Sequence, residues 1–302
     1  MTLSLRYIWI FSLGLVLSGC ASGLPDRVAT MPEVARPDPV APPAPSFTFP
    51  GAARQGALLR ARAPKGTQAL YLDTRPIDVA PDGAFLVGFD RDAPPTAQLR
   101  AILADGREVV QRLSVAAARW DIQSVDASIT GGVASAEYMR RRGAELARIA
   151  AARAGMKAGS SSGWTQDFVW PVVARISGRF GSQRIYRGTP GSYHGGVDLA
   201  APAGSVYVAP ADGIVLLAAT APYTLEGNLL LIDHGMGLNS AFLHSQRLLV
   251  KAGDVVRRGQ PIGIVGATGR ATGPHLHWGM KWGEARIDPV TLVRADPLQA
   301  AP

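Results

Sequence analysis

Apolar residues in this chain come in short alternating runs, and glycine and proline cut nearly all of them before they can become helical. Glycine accounts for 34 and proline for 23 of the 302 residues, which excludes a mostly helical fold and predicts a β-rich one. Between Gln55 and about Trp120, the runs Ala57–Arg62, Ala69–Leu72, Ala84–Phe89 and Leu99–Leu103 are strand-like. Pro64-Lys65-Gly66, Pro81-Asp82-Gly83 and Asp105-Gly106 stand between them as turn signals. The last predicts a two-residue hairpin with Arg107–Val115 as the return strand. The economical reading of residues 55–134 is a small antiparallel β-sandwich. Its acids, among them Asp73, Asp78 and Asp90, fall at turns or strand ends and read as solvated.

Ser135 to Met156 reads instead as a helix, with Ser135 as N-cap and Met139, Leu146, Ile149 and Ala150 at helical spacing. Arg140-Arg141-Arg142 on it reads as a solvated face. The helix and the flexible Gly159–Gly163 seam make up residues 135–163. From Trp164 onward the pattern is β again, with strands expected at Val206–Pro210, Gly213–Ala218, Leu229–Asp233, Ser240–Leu243, Gln260–Val265 and His275–Lys281. The fold expected is mainly β: an N-terminal β-sandwich, a connecting helix, and an antiparallel sheet over residues 164–295 folded around a groove. A short tail, 296–302, follows.

The start of the chain reads as an address. Arg6 precedes an almost purely apolar run of 11 residues, Tyr7 to Leu17, and a stable membrane span needs about 20. Leu17-Ser18-Gly19-Cys20 resembles the bacterial lipobox, which implies a signal peptide at 1–20 and acylation of Cys20, the one cysteine of the chain. Acyl chains contribute about 0.8 kcal/mol per buried methylene, so the expected location is the cell envelope, membrane-anchored. Ala21 after the cysteine resembles proteins sorted to an outer membrane, here facing the periplasm. Leu24 to Pro50 carries eight prolines, and residues 21–54 read as an extended tether.

Residues 1–193 contain no histidine; His194, His234, His244, His275 and His277 then fall within 84 residues. A single cysteine rules out a disulfide within the chain and any cysteine-rich metal site. His275 and His277, two apart in a strand-like run, point to one face, and His194 and Asp198, four apart among glycines, suit extended chain. Imidazole plus carboxylate oxygen, as three protein ligands with one position left open for water, is a ligand set for catalytic zinc. The charge tells a simpler story. Of 31 basic and 23 acidic residues, 19 and 14 precede Gly163, leaving 12 and 9 after it. The net charge of +8 is therefore spread out, and nucleic acid is not an expected partner.

Tyr193–Val215 (YHGGVDLAAPAGSVYVAPADGIV), LIDHGMGL, and AFLHSQRLLVKAGDVVRRGQPIGIVGATGRATGPHLHW together resemble a lysostaphin-like, or LytM-type, zinc metallopeptidase domain. The likeness covers about Trp164 to Val293, less than half of the chain. It implies one zinc held by His194, Asp198 and His277, with His244 and His275 as non-ligand catalytic histidines and His234 structural. It also implies hydrolysis of peptide cross-links or stems of peptidoglycan in cell-wall remodelling. One departure is visible: Leu243-His244-Ser245 lacks the leucine that often follows this histidine in the family, which changes a packing neighbour and not the reacting group. An imidazole can act as base or, protonated, as oxyanion donor, and the sequence leaves open which of His244 and His275 does which. Glu226 and Asp233 are fallback bases. The alternative function is a non-catalytic scaffold that binds cell wall or activates another hydrolase.

Overall fold

The computed structural model describes residues 44–127, 135–156 and 159–293. The export signal with Cys20, the tether as far as residue 43 and the tail 296–302 lie outside the described residues.

Six strands come first: β1 (Leu58–Arg62), β2 (Thr67–Leu72), β3 (Arg75–Ile77), β4 (Ala84–Gly88), β5 (Thr96–Leu103) and β6 (Glu108–Ser114). β1 and β4 form a two-stranded antiparallel ladder, and β3-β2-β5-β6 a four-stranded antiparallel sheet. Strict alternation sets the register. In β5, Ala97, Leu99, Ala101 and Leu103 are buried while Thr96, Gln98, Arg100 and Ile102 are not. Phe85, Leu86, Val87 and Leu99 are fully enclosed. The Asp105-Gly106 hairpin forms, but with three loop residues where the sequence predicts two. Leu103 N–H donates to the Arg107 carbonyl at 2.9 Å, so Ala104, Asp105 and Gly106 turn the chain, with Gly106 taking the left-handed conformation at φ 82°. The described end of the proline-rich segment packs on this body: Thr48 and Arg62 exchange backbone hydrogen bonds of 3.0 and 2.9 Å, and Phe47 meets Phe85 edge-on at 6.0 Å.

β7 (Ile122–Val125) runs parallel to a strand beyond the helix, β9 (Gln183–Tyr186), whereas the other strand pairs among the described residues are antiparallel. Between them lie the helix α1 (Ala136–Ala154) and β8 (Ile176–Gly178). Ser135 caps α1, its Oγ accepting from Tyr138 N–H at 3.1 Å. The expected apolar stripe docks only at its C-terminal end: Ile149 packs with Tyr223, Leu229 and Leu231, while Met139 and Leu146 are 57% and 48% exposed. The buried residues of α1 are Ile149 and, unexpectedly, Glu145. Glu145 accepts from the backbone N–H and hydroxyl of Thr224, at 2.8 and 2.7 Å. Nor is the arginine triplet wholly solvated, because Arg142 grips Glu226 through both carboxylate oxygens at 2.6 and 2.7 Å. Polar contacts therefore anchor this helix alongside the apolar contact of Ile149.

After β8 and β9 come β10 (Thr189–Pro190), β11 (Gly196–Leu199), β12 (Val206–Val208), β13 (Gly213–Ala218), β14 (Asn228–Gly235) and β15 (Leu238–Ser245). The last are β16 (Arg247–Leu248), β17 (Val255–Val256), β18 (Pro261–Ile264), β19 (Leu276–Trp282) and β20 (Ala285–Ile287). An eight-stranded antiparallel sheet runs β17-β13-β14-β15-β19-β11-β8, with β20 on β19. A three-stranded sheet, β12-β18-β16, joins it. Along β19, Leu276, Trp278, Met280 and Trp282 are buried in the core. His277, Gly279 and Lys281 alternate with them and face a cavity on the other side.

One apolar core links this sheet to the first six strands. Gly88 is glycine because a Cβ there would sit 2.7 Å from Ile287. Arg91 donates to the Gly181 carbonyl at 2.9 Å and to Gln183 at 3.0 Å. Asp90 accepts from the Tyr193 hydroxyl at 2.6 Å and from Arg286 N–H at 2.8 Å, so it is not merely solvated. The Gly/Ser seam is likewise packed where it meets the sheet. Ser160 donates to Asp233 at 2.5 Å, and a Cβ on Gly163 would overlap the Asp212 carbonyl. Among the described residues, no helix is long and apolar enough to cross a membrane.

Candidate metal centre

The register of two strands builds most of the centre. In the β11–β19 pair, Asp198 lies opposite His277 and Gly196 opposite Gly279. His194 stands two residues before β11. His194 Nε2 lies 3.1 Å from Asp198 Oδ1 and 3.0 Å from His277 Nδ1, and His277 Nδ1 lies 2.9 Å from Asp198 Oδ1. These three atoms form a near-equilateral triangle. Among the described residues, they are the group of candidate ligands close enough to share one ion.

The triangle is of a size that one shared metal ion could fill. Donors bound at about 2.0–2.2 Å to one tetrahedral ion lie roughly 3.3 Å apart, close to the spacing found. His194 Nδ1–H donates to the Arg179 carbonyl at 3.0 Å, which leaves Nε2 as a lone pair aimed into the triangle, the usual outer support of a metal-binding imidazole. The carboxylate and His277 are crowded into place by missing side chains. A Cβ on Gly178 would overlap Asp198 Oδ2, and one on Gly196 would sit 2.8 Å from His277 Nε2. The two imidazoles hold the Asp198 carboxyl well below its ordinary range, although burial pushes it the other way. Burial pulls His277 down, toward the neutral form that binds a metal. It pulls His194 down too, but the Asp198 carboxylate outweighs this and raises it.

His244 and His275 stand beside the triangle without completing it. His275 Nε2 is 3.7 Å from Asp198 Oδ1, and the His244 ring lies 4.8 Å from that of His275 and 6.4 Å from that of His277. Each has its Nδ1–H committed to a backbone carbonyl, His244 to Thr268 and His275 to Gly273, both at 2.8 Å. Nε2 is thus the free nitrogen on both rings. His244 reaches this position at φ 65°, a conformation disfavoured for any side chain but glycine's. Its backbone N–H donates to the Glu226 carbonyl at 2.9 Å. Burial lowers its pKa, and the neighbouring imidazoles add to the effect.

His234 is elsewhere. It is fully buried, donating to the Asp212 carbonyl and accepting from Ser240, both at 2.8 Å, with its pKa pushed down by burial to about 4. Neither fallback acid is free to act as a base. Glu226 is clamped by Arg142, and buried Asp233 is held by Ser160 and by Gly235 N–H. The Arg179, Thr268 and Gly273 carbonyls that orient the rings are invisible in the sequence, since a carbonyl carries no residue signature. A signal for Gly178 existed, as a glycine inside a short strand marks a close approach.

Two cavities meet the centre. One, of about 820 Å³, is lined by His194 and Asp198 together with Arg179, Arg184 and Arg270. The other, of about 320 Å³, lies between α1 and the sheet and reaches His277.

Comparison with known proteins finds likenesses to this region. The model for Peptidase family M23 matches residues 192–289. Peptidoglycan DD-endopeptidase ShyB of Vibrio cholerae is 42% identical over 103 residues, 34% of this chain and 23% of that protein. DD-carboxypeptidase/endopeptidase Mpg of Neisseria meningitidis is 35% identical over 130 residues, 42% of this chain and 29% of that one. The chain thus spans about a quarter of the length of the curated relatives it matches. The crystal structure of a candidate peptidase M23 from Pseudomonas aeruginosa covers 80% of this chain and 96% of its own, at 29% identity and a TM-score of 0.62. That likeness therefore extends well beyond the family's own residues.

Proposed function

We propose that this chain, which carries a peptidase family M23 domain over residues 192–289, is a zinc metalloendopeptidase that cleaves peptide cross-links or stems of bacterial peptidoglycan. The observation that carries this is the pairing of a three-donor triangle with two imidazoles that do not belong to it. A scaffold has no use for His244 and His275 held with their free nitrogens beside a metal centre.

His194, Asp198 and His277 would hold the ion. Zinc in such a set supplies a Lewis acid and activates water at neutral pH. The chain's own residues do the rest. Kept neutral near pH 7 by burial, His244 offers its Nε2 lone pair to a proton leaving the attacking water. Thr268 fixes the tautomer and aim of that ring. The proton that His244 takes would pass to the leaving amine, and His275, aimed by Gly273, has the complementary role of facing the oxygen that gains charge. Acylation of Cys20 and anchoring in the envelope belong to the same proposal and rest on the sequence of residues 1–21.

Digestion of purified peptidoglycan with the zinc-loaded protein, followed by mass analysis of the fragments, tests this reading. The expected result is fragments with a newly exposed amine and no change in the glycan. If zinc-loaded protein released no peptide fragment from any peptidoglycan type, the scaffold would take its place. A labelled fatty acid carried on Cys20 and lost in Cys20→Ser tests the anchor; a free N-terminus at another residue contradicts it.

A further inference from the structure

The cavity between α1 and the sheet holds more positive charge than its surroundings neutralise. Arg142, Arg153, Lys281 and Arg286 line it, against one acid, Glu226. Two of these cations are satisfied: Arg142 by Glu226 and Glu145, and Lys281 by Glu284 at 2.9 Å. Arg153 is not. It is partly buried and gives its Nε–H to Asn239 Oδ1 at 3.2 Å. Among the described residues, its two terminal nitrogens have no hydrogen bond and no ion pair. Arg286 also lacks an acidic partner there; its guanidinium stacks over Tyr193 at 5.1 Å.

Leaving a guanidinium out of water without a counter-ion is costly. Burial accordingly pulls Arg153 below the ordinary arginine value, with Arg286 pulling in the same direction and Glu284 and Glu226 opposing without pairing with it. Anchoring through Nε leaves the planar pair of terminal nitrogens for a bidentate partner, and carboxylate is the group that matches that fork. His277 lines the same cavity, so a peptide lying across the centre can bring a carboxylate there.

We propose that this cavity is a subsite for a free carboxylate of the peptide substrate, with Arg153 as its bidentate partner and Arg286 as a second cation. The assignment rests on the peptidase reading of the neighbouring centre. It makes Arg153, which lies on α1 outside the family-matched residues, a specificity-determining residue.

The test uses two synthetic cross-linked stem peptides that differ only in a C-terminal carboxylate or carboxamide. Binding is measured calorimetrically on the zinc-loaded full chain carrying His244→Ala, and cleavage on the same chain without that substitution. Charge-assisted hydrogen bonds predict about 10- to 100-fold tighter binding of the acid. Arg153→Gln should erase that preference while leaving the amide's affinity unchanged, and Arg153→Lys should keep part of it. Arg286→Gln lies off the helix and should lower the preference even if Arg153→Gln undocks α1. Equal binding of acid and amide by the unsubstituted cavity overturns the assignment, as does a preference that survives both glutamine variants. An Arg153-dependent preference without cleavage of either peptide supports the subsite and removes the peptidase reading; cleavage of both peptides alike does the reverse.

Discussion

The first six strands and the β14–β15–β19 part of the large sheet are both antiparallel, yet they bury opposite kinds of chemistry. In the first body the enclosed side chains are Phe85, Leu86, Val87, Leu99 and their apolar neighbours, with Arg91 as its buried charge. In the second, Asp233, His234, Asn239, Ser240, His244 and Ser245 are buried among Leu230, Ile232 and Phe242. Burying polar groups costs free energy unless each finds a partner. The partners are present: Trp278 N–H donates to Ser240 and Ser240 to His234, and among the described residues no buried side-chain polar atom lacks one. The apolar body is built for stability, and the polar sheet spends stability on placing imidazoles. The two should therefore respond differently to substitution.

The largest separation is expected at the metal ligands. His277→Ala removes one of three donors, so zinc content and hydrolysis should both fall to background. Circular dichroism of the chelated protein should meanwhile show the rest of the fold retained. Full zinc occupancy in that variant would disprove the ligand assignment. Next, His244→Ala and His275→Ala should each slow peptidoglycan hydrolysis by about 10²–10⁴-fold while keeping zinc near one per chain by metal analysis. Unchanged turnover in the double variant would point back to a carboxylate.

Phe85→Ala inverts the pattern. Truncating a fully buried phenylalanine typically costs about 3–5 kcal/mol, read by denaturant unfolding, yet the folded fraction should bind zinc normally. Loss of zinc there would mean that the two regions do not respond separately. The smallest effect concerns pH. His234 takes up a proton at about 4 when folded, against 6.5 ordinarily. Its contribution is complete above pH 6.5 and is lost as pH falls through that window, by roughly 3 kcal/mol at most. In chelated protein, His234→Asn should be less stable at pH 7 but should show a shallower loss between pH 6.5 and 4. An identical slope would assign the acid sensitivity elsewhere.

How much of this is legible in the sequence depends on range. His194 with Asp198 and His275 with His277 are local spacings, so the candidate ligands can be read directly, as can long alternating strands such as β5, whereas the choice of His277 over His275 as ligand rests on the family resemblance. β3, β10, β16, β17 and β20 span two or three residues each, too few for any period to register. β7 and β9 pair across the helix, a register no local pattern encodes. Arg142 and Glu226 are 84 residues apart, and only the fold turns an apparently solvated arginine into a clamp on the turn that holds His244. The Gly/Ser seam misleads for a related reason: glycine marks close packing as readily as flexibility, and Gly163 lies against the Asp212 carbonyl.

The central claim is that one ion, held by His194, Asp198 and His277, makes this sheet a peptidase. Titrating zinc into chelated protein while counting amines released from peptidoglycan tests it most directly. Amine release should rise in proportion to added zinc and level off at one equivalent per chain. No release at one equivalent, or a rise that continues to two, would contradict it.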